Sequence, residues 1–234
     1  MTDARRQRLW QIGAVALFAA ILVAVVIVIS QAGSNSLQHL EADRAAVTKL
    51  FARIPQHEKY LGDSNAPVTL VEYADLQCPF CRQFTLDVLP TIVERYVKPG
   101  DLRLRFEPQT FIGAQSETAA RVALAASLQN RLWQFADLFY RNQDDENSGY
   151  VTPDFLRSIA ETTPGLDAQK ALAAQTTKPV TRLLDQSKAL FTDSGLTSTP
   201  SFEVEQGDAG HRLEVSDPSN PDDFTSQLDS ILGR

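Results

Sequence analysis

The stretch VTLVEYADLQCPFCRQF, residues 68 to 84, constrains the fold more than any other part of the chain. Residues 68 to 75 are short, β-branched and aromatic, and read as a buried strand. Only Leu76 and Gln77 separate it from Cys78, and Pro79 suits the first position of a helix, where its missing N–H costs nothing. Phe84, Leu86, Val88, Leu89, Ile92, Val93 and Tyr96 continue an apolar helical pattern to about Val97. So short a turn places the start of the helix, with Cys78 and Cys81, over the end of its own strand.

Pro99 and Gly100 stop that helix, and DLRLRFEPQ alternates Leu102, Leu104 and Phe106 with charges, the period of a half-buried strand. From about 113 to 195 the pattern is helical: ETAARVALAASLQ, RLWQFADLFYRN, PDFLRSIAET, LDAQKALAAQ and KPVTRLLDQSKALF, with Gly195 ending the last. SFEVE and HRLEV read as two further strands joined by QGDAG, and a final helix begins near Pro221. A β-α-β start and a β-β-α end imply an α/β fold, a mixed sheet with helices on both faces and a large helical insertion.

Cys78 and Cys81 are the only cysteines in the chain. A zinc site normally takes four ligands, and His39, His57 and His211 do not cluster with them in sequence. A structural disulfide across so small a loop would restrain the unfolded chain little, and two inert core thiols are a further possibility. A redox pair has a specific physical basis. Cys78 at a helix N-terminus meets unpaired N–H groups and the positive end of the dipole, both favouring thiolate, while Cys81 lies one turn inward.

Period two along the first strand puts Val68, Leu70, Glu72 and Ala74 on one side, leaving a carboxylate among apolar neighbours. Burial without a partner raises such a pKa. Glu72 is either paired structurally with Arg or water, or is the proton acceptor and donor for Cys81.

Arg5, Arg6 and Arg8 precede an uncharged apolar run from Ile12 to Ile29, long enough to cross a bilayer as a helix. The positive-inside rule assigns residues 1–11 to the cytoplasm, 12–30 to a transmembrane helix and the remainder to the outside. The competing expectation is a cleaved signal peptide ending near Ser30-Gln31-Ala32. Residues 31–59 read as a linker containing an amphipathic helix over 37–54, and PQHEKYLGDSNAP as a turn-rich entry to a domain spanning 60–234. A net charge of -7 without a basic run argues against nucleic acid as a partner.

The strand VEYAD followed by CPFC, Thr199-Pro200 before a late strand, and the long helical block between them resemble the DsbA-like branch of the thioredoxin superfamily. The resemblance implies Cys78 as nucleophile, Cys81 as resolving thiol, Glu72 as the buried acid and Pro200 as a cis-proline. Thr199, Pro200, Pro79 and Phe80 would contact substrate. It implies no metal and no organic cofactor. The expected activity is thiol-disulfide exchange outside the cytoplasm, most directly donation of the Cys78-Cys81 disulfide to exported proteins. Re-oxidation would come from a membrane quinone-linked oxidase of the DsbB or VKOR type. The same site could run as a reductase or isomerase, or gate a binding module. Phe80 stands where oxidising relatives carry His, and Phe cannot donate a hydrogen bond to the thiolate.

Overall fold

The computed structural model describes residues 39–207 and 209–234. The expected transmembrane helix at 12–30 and the cytoplasmic residues before it lie outside them. Among the described residues no helix is long and apolar enough to cross a membrane. Residues 43–234 form one compact unit, which takes in part of the expected 31–59 linker.

Residues 39–50 are helical (α1). The helix stops short of the expected 54, because 51–53 turn and Arg53 takes a left-handed φ of 62°. Val47, Leu50 and Phe51 are buried in the main core. Within the turn-rich 55–67 stretch, Gln56–His57 (β1) and Tyr60–Leu61 (β2) pair antiparallel, strands too short to leave a period in the sequence.

Val68–Asp75 (β3) is buried at every position. It lies between Leu102–Gln109 (β4), parallel to it, and Ser201–Gln206 (β5), antiparallel. Ala209–Leu213 (β6) completes a six-stranded mixed sheet of order β1-β2-β4-β3-β5-β6. A strand covered on both faces needs apolar residues at nearly every position, which explains why 68–75 does not simply alternate. Val68, Leu70 and Ala74 face the main core, whereas Val71 and Tyr73 join Phe191 and Leu196 on the other face.

The helix after β3, α2, begins at Pro79–Gln83 and passes through a π turn at Phe84–Val88, then Leu89–Ile92, then a second π turn at Val93–Val97. Pro90 offers no N–H and its ring crowds the preceding turn, so a widened turn just before it is the expected relief. Nothing in the sequence accounts for the second. The helical block comprises Ala114–Ser127 (α3), Leu132–Arg141 (α4), Pro153–Thr162 (α5), Ala168–Ala174 (α6) and Lys178–Asp193 (α7). Pro221–Leu232 (α8) closes the fold.

Phe84 of α2, Phe202 of β5 and Phe224 of α8 meet in a triad with ring centroids 4.6, 5.1 and 4.9 Å apart. All three are at most 2 % exposed, so Phe224→Ala would cost about 3–5 kcal/mol. The triad fixes α2, and with it the CPFC turn, against the sheet.

Candidate active site

The turn between β3 and α2 is organised by Asp75. Its Oδ1 accepts from the Gln77 N–H at 2.9 Å, its Oδ2 from the Ile112 N–H at 3.2 Å, and its backbone carbonyl from the Cys78 N–H at 2.9 Å. Burial pushes the Asp75 carboxyl up despite these donors. The helical block holds the same turn from the other side. Gln143 Nε2 donates to the carbonyls of Leu76 (2.7 Å) and Cys78 (3.2 Å), and the Tyr140 hydroxyl donates to the Asp75 carbonyl at 3.2 Å. Gln77 donates to Ser116 Oγ at 2.9 Å and accepts from the Asn147 N–H at 3.1 Å.

This scaffold makes Cys78 the N-cap of α2, with Pro79 at the first helical position as expected. Both cysteines are free thiols. Cys81 is wholly buried, while Cys78 reaches the edge of the surface beside exposed Pro79 and Phe80, the latter 54 % exposed. The Cys78 thiol donates to the Thr199 carbonyl at 3.3 Å, and the Thr199-Pro200 bond is cis. Four sequence-separated positions, Cys78, Cys81, Thr199 and Pro200, are thereby brought to one place.

The two sulfurs differ electrostatically. Cys78 is lowered to about 6, first by the hydrogen bond from the Cys81 thiol, then, against the opposing effect of burial, by the Cys81 N–H, the Thr199 side chain and the Phe80 N–H. The helix-start donors anticipated from the sequence do contribute, but the neighbouring thiol contributes more. Cys81 is raised well above its ordinary value by burial and by the anionic sulfur it serves. Near neutral pH one sulfur is a nucleophilic thiolate and the other keeps its proton.

Glu72 sits mid-strand between Phe106 of β4 and Phe202 of β5 and is 3 % exposed. Its Oε1 has no hydrogen-bond partner among the described residues. Burial, then the Cys78 thiolate, raise it to about 8. Among the described residues no Arg pairs with Glu72. A carboxyl titrating near that value, within electrostatic reach of Cys81, can exchange a proton near neutral pH.

A thiolate at a helix start, a buried partner thiol, an unpaired acid below them and a cis-proline loop alongside make up a thiol-exchange site on a mixed α/β sheet. The family model described as Thioredoxin matches residues 56–230. The chain belongs to the thioredoxin family.

Within that family it is a DsbA-like thiol-disulfide oxidoreductase. It is 33 % identical over 151 residues to a probable disulfide bond formation protein D of Bacillus cereus, covering 63 % of this chain and 68 % of that one. Disulfide bond formation protein D of Bacillus subtilis is 32 % identical over 105 residues, 44 % of this chain and 47 % of the relative. The fold is that of BdbD from Bacillus subtilis, with a TM-score of 0.67 at 22 % identity, covering 77 % of this chain and 98 % of the other.

Asp75, Gln77, Tyr140 and Gln143 were not singled out from the sequence. An Asp just ahead of a turn carries a recognisable signal, since its side chain can accept from the backbone two residues on. Gln143 carries none, because its partners lie 65 and 67 residues away.

Proposed function

We propose that the chain donates the Cys78-Cys81 disulfide to newly exported proteins as they fold. A client thiolate attacks the Cys78 sulfur, the Cys78–Cys81 bond breaks, and Cys81 leaves as a thiolate that takes a proton from Glu72. A second client thiolate then attacks the client sulfur of the mixed disulfide, and Cys78 leaves as the thiolate. The client gains a disulfide and loses two thiol protons, one replacing the proton that Glu72 gave up and one passing to solvent, and the protein ends reduced with Cys78 as thiolate and Cys81 as thiol.

The observation that carries the direction is the stabilised Cys78 thiolate, at about 6 against an ordinary 9.0. Stabilising the thiolate stabilises the reduced state, which makes the disulfide a better oxidant. The Bacillus relatives, disulfide bond formation proteins D, support the same direction. Pro79, Phe80, Thr199 and Pro200 form the surface around the attacked sulfur, and an extended client segment would lie along the Thr199 backbone.

The apolar run after Arg5, Arg6 and Arg8 supports a retained anchor with the catalytic domain outside the membrane, the compartment where disulfides persist. A quinone-linked oxidase of the DsbB or VKOR type would restore the disulfide.

Two measurements test this reading. Cys81→Ser should accumulate mixed disulfides with exported proteins through Cys78, and Cys78→Ser should not; trapping nothing excludes exchange with clients. Equilibration with glutathione should give a potential well above thioredoxin's value of about −270 mV; a value at or below it makes the protein a reductant.

A further inference from the structure

The loop that carries Thr199 runs from the end of α7 to the start of β5, and its two ends are held differently. Beside Thr199, Ser201 Oγ donates to the Ser198 carbonyl at 2.7 Å, a contact local to the turn. At the other end the partners come from distant strands. The hydroxyls of Tyr73 on β3 and Ser194 at the end of α7 both donate to a single oxygen of Glu203 on β5, Oε2, at 2.8 and 3.0 Å. Arg212 of β6 donates to the Ser194 and Gly195 carbonyls at 3.3 and 3.4 Å. Gly195 takes a φ of +64°, the left-handed step that turns the chain out of α7. Leu196, 6 % exposed, packs with Val71, Tyr73 and Phe191 on the face of the sheet away from the cysteines.

Half-buried Glu203 therefore joins three elements at the root of this loop: β5 itself, the last turn of α7, and β3, where Tyr73 directly follows Glu72. Side chains alternate along a strand, so β3 sends Glu72 toward the core beneath the sulfurs and Tyr73 to this anchor. Thr197 and Ser198 beyond it are exposed, and the Thr199 carbonyl follows against the Cys78 thiol. Main-chain hydrogen bonds to an extended client segment require its partner backbone to stay in register, and a displacement of about 1 Å at a binding group can cost about 10²-fold. With the Glu203 oxygen gone, Tyr73 and Ser194 lose their common acceptor and the loop is freed at its root. A small thiol attacking Cys78 makes no use of the Thr199 backbone, so the loss would fall on extended clients alone.

We infer that Glu203 is a positioning residue for client recognition, fixing through Tyr73 and Ser194 the loop on which Thr199 meets an extended client segment. The inference rests on the reading that clients lie along the Thr199 backbone, and it holds whichever way the electrons run.

Single-turnover reduction of the oxidised full chain, by an extended peptide carrying a pair of cysteines and separately by dithiothreitol, tests it. Dithiothreitol reports the sulfur chemistry without the Thr199 contact. Glu203→Ala should raise the half-saturating peptide concentration about 10-fold with the limiting rate unchanged, and leave the dithiothreitol rate within about 2-fold of native. Glu203→Gln keeps an oxygen that can accept from both hydroxyls and should restore the native peptide value. Tyr73→Phe removes one of the donors at nearly constant volume and should give a smaller rise, about 3-fold, with the dithiothreitol rate again unmoved; it decides the matter if Glu203→Ala fails to fold. Peptide and dithiothreitol rates that stay native, or fall by the same factor, in the folded variant overturn the inference, as does a Glu203→Gln chain as impaired as Glu203→Ala. A native chain that dithiothreitol reduces and the peptide does not overturns the functional reading itself, and the role of Glu203 falls with it.

Discussion

Glu72 and Glu107 lie on adjacent strands of one sheet, 3 % and 0 % exposed, and meet opposite surroundings. Glu107 faces α7, where its Oε2 accepts from Lys59 Nζ and Ser187 Oγ, both at 2.5 Å, while Oε1 accepts no hydrogen bond among the described residues and has only the ion-pair contact with Arg105 Nε at 3.0 Å. Arg105 extends this set to Glu205 through two parallel bonds of 2.9 and 2.7 Å. Glu72 faces the apolar core on the other side of the sheet, where Oε1 is unpartnered. Burial makes the same demand on both carboxyls, and the partners decide the outcome. One ties the β1-β2 turn, β4 and α7 together through its hydrogen bonds, and the other becomes a movable proton beneath two sulfurs.

Removing Glu107 should have the largest effect. Glu107→Ala leaves Lys59 charged and uncompensated in the interior, costing about 3–5 kcal/mol in denaturant unfolding, while thiol exchange per folded molecule is unchanged. A loss below about 1 kcal/mol would mean that the network holds nothing together.

Glu72→Gln should act with the opposite sign. A carboxyl raised from 4.5 to about 8 gives the native state an advantage that is full below 4.5 and is lost as pH rises through 8. At pH 7 the unfolded chain is ionised and the native carboxyl is not, so the neutral isostere stabilises the reduced protein by on the order of 3 kcal/mol. That gain should vanish near pH 4.5, and exchange should slow by about 10²-fold through loss of the proton carrier. Unaltered exchange across about pH 6 to 8 would reduce Glu72 to a structural residue.

Cys81→Ala removes the largest contributor to Cys78 acidity, so the thiolate absorbance of Cys78 should titrate about one pH unit higher, or about 1.4 kcal/mol. Cys81→Ser, which keeps a donor, should shift it less. The smallest net change belongs to the pair Lys59→Met with Glu107→Leu. Apolar replacement of both charges together should return stability to within about 1–2 kcal/mol of the native chain.

What the sequence disclosed follows from how local each signal is. β3 and α2 were legible because the apolar run, Pro79 and the cysteine spacing all fall within one segment. Thr199 and Pro200 were legible only through resemblance. The β1-β2 pair was hidden because two-residue strands carry no period, and the π turns because they preserve the apolar face of a helix. The clasp made by Tyr140 and Gln143, and the partnering of Glu107 by Lys59, depend on residues 48 to 67 positions apart. Spacing along the chain cannot reveal such contacts.

Gln143 has a mechanical consequence. One amide nitrogen bridges the carbonyls on either side of Gln77, so any excursion of the helical block away from the sheet pulls on the backbone that presents the reactive sulfur. In native-state hydrogen exchange, the amides at the end of α4 and those of the catalytic turn should open as a single cooperative unit.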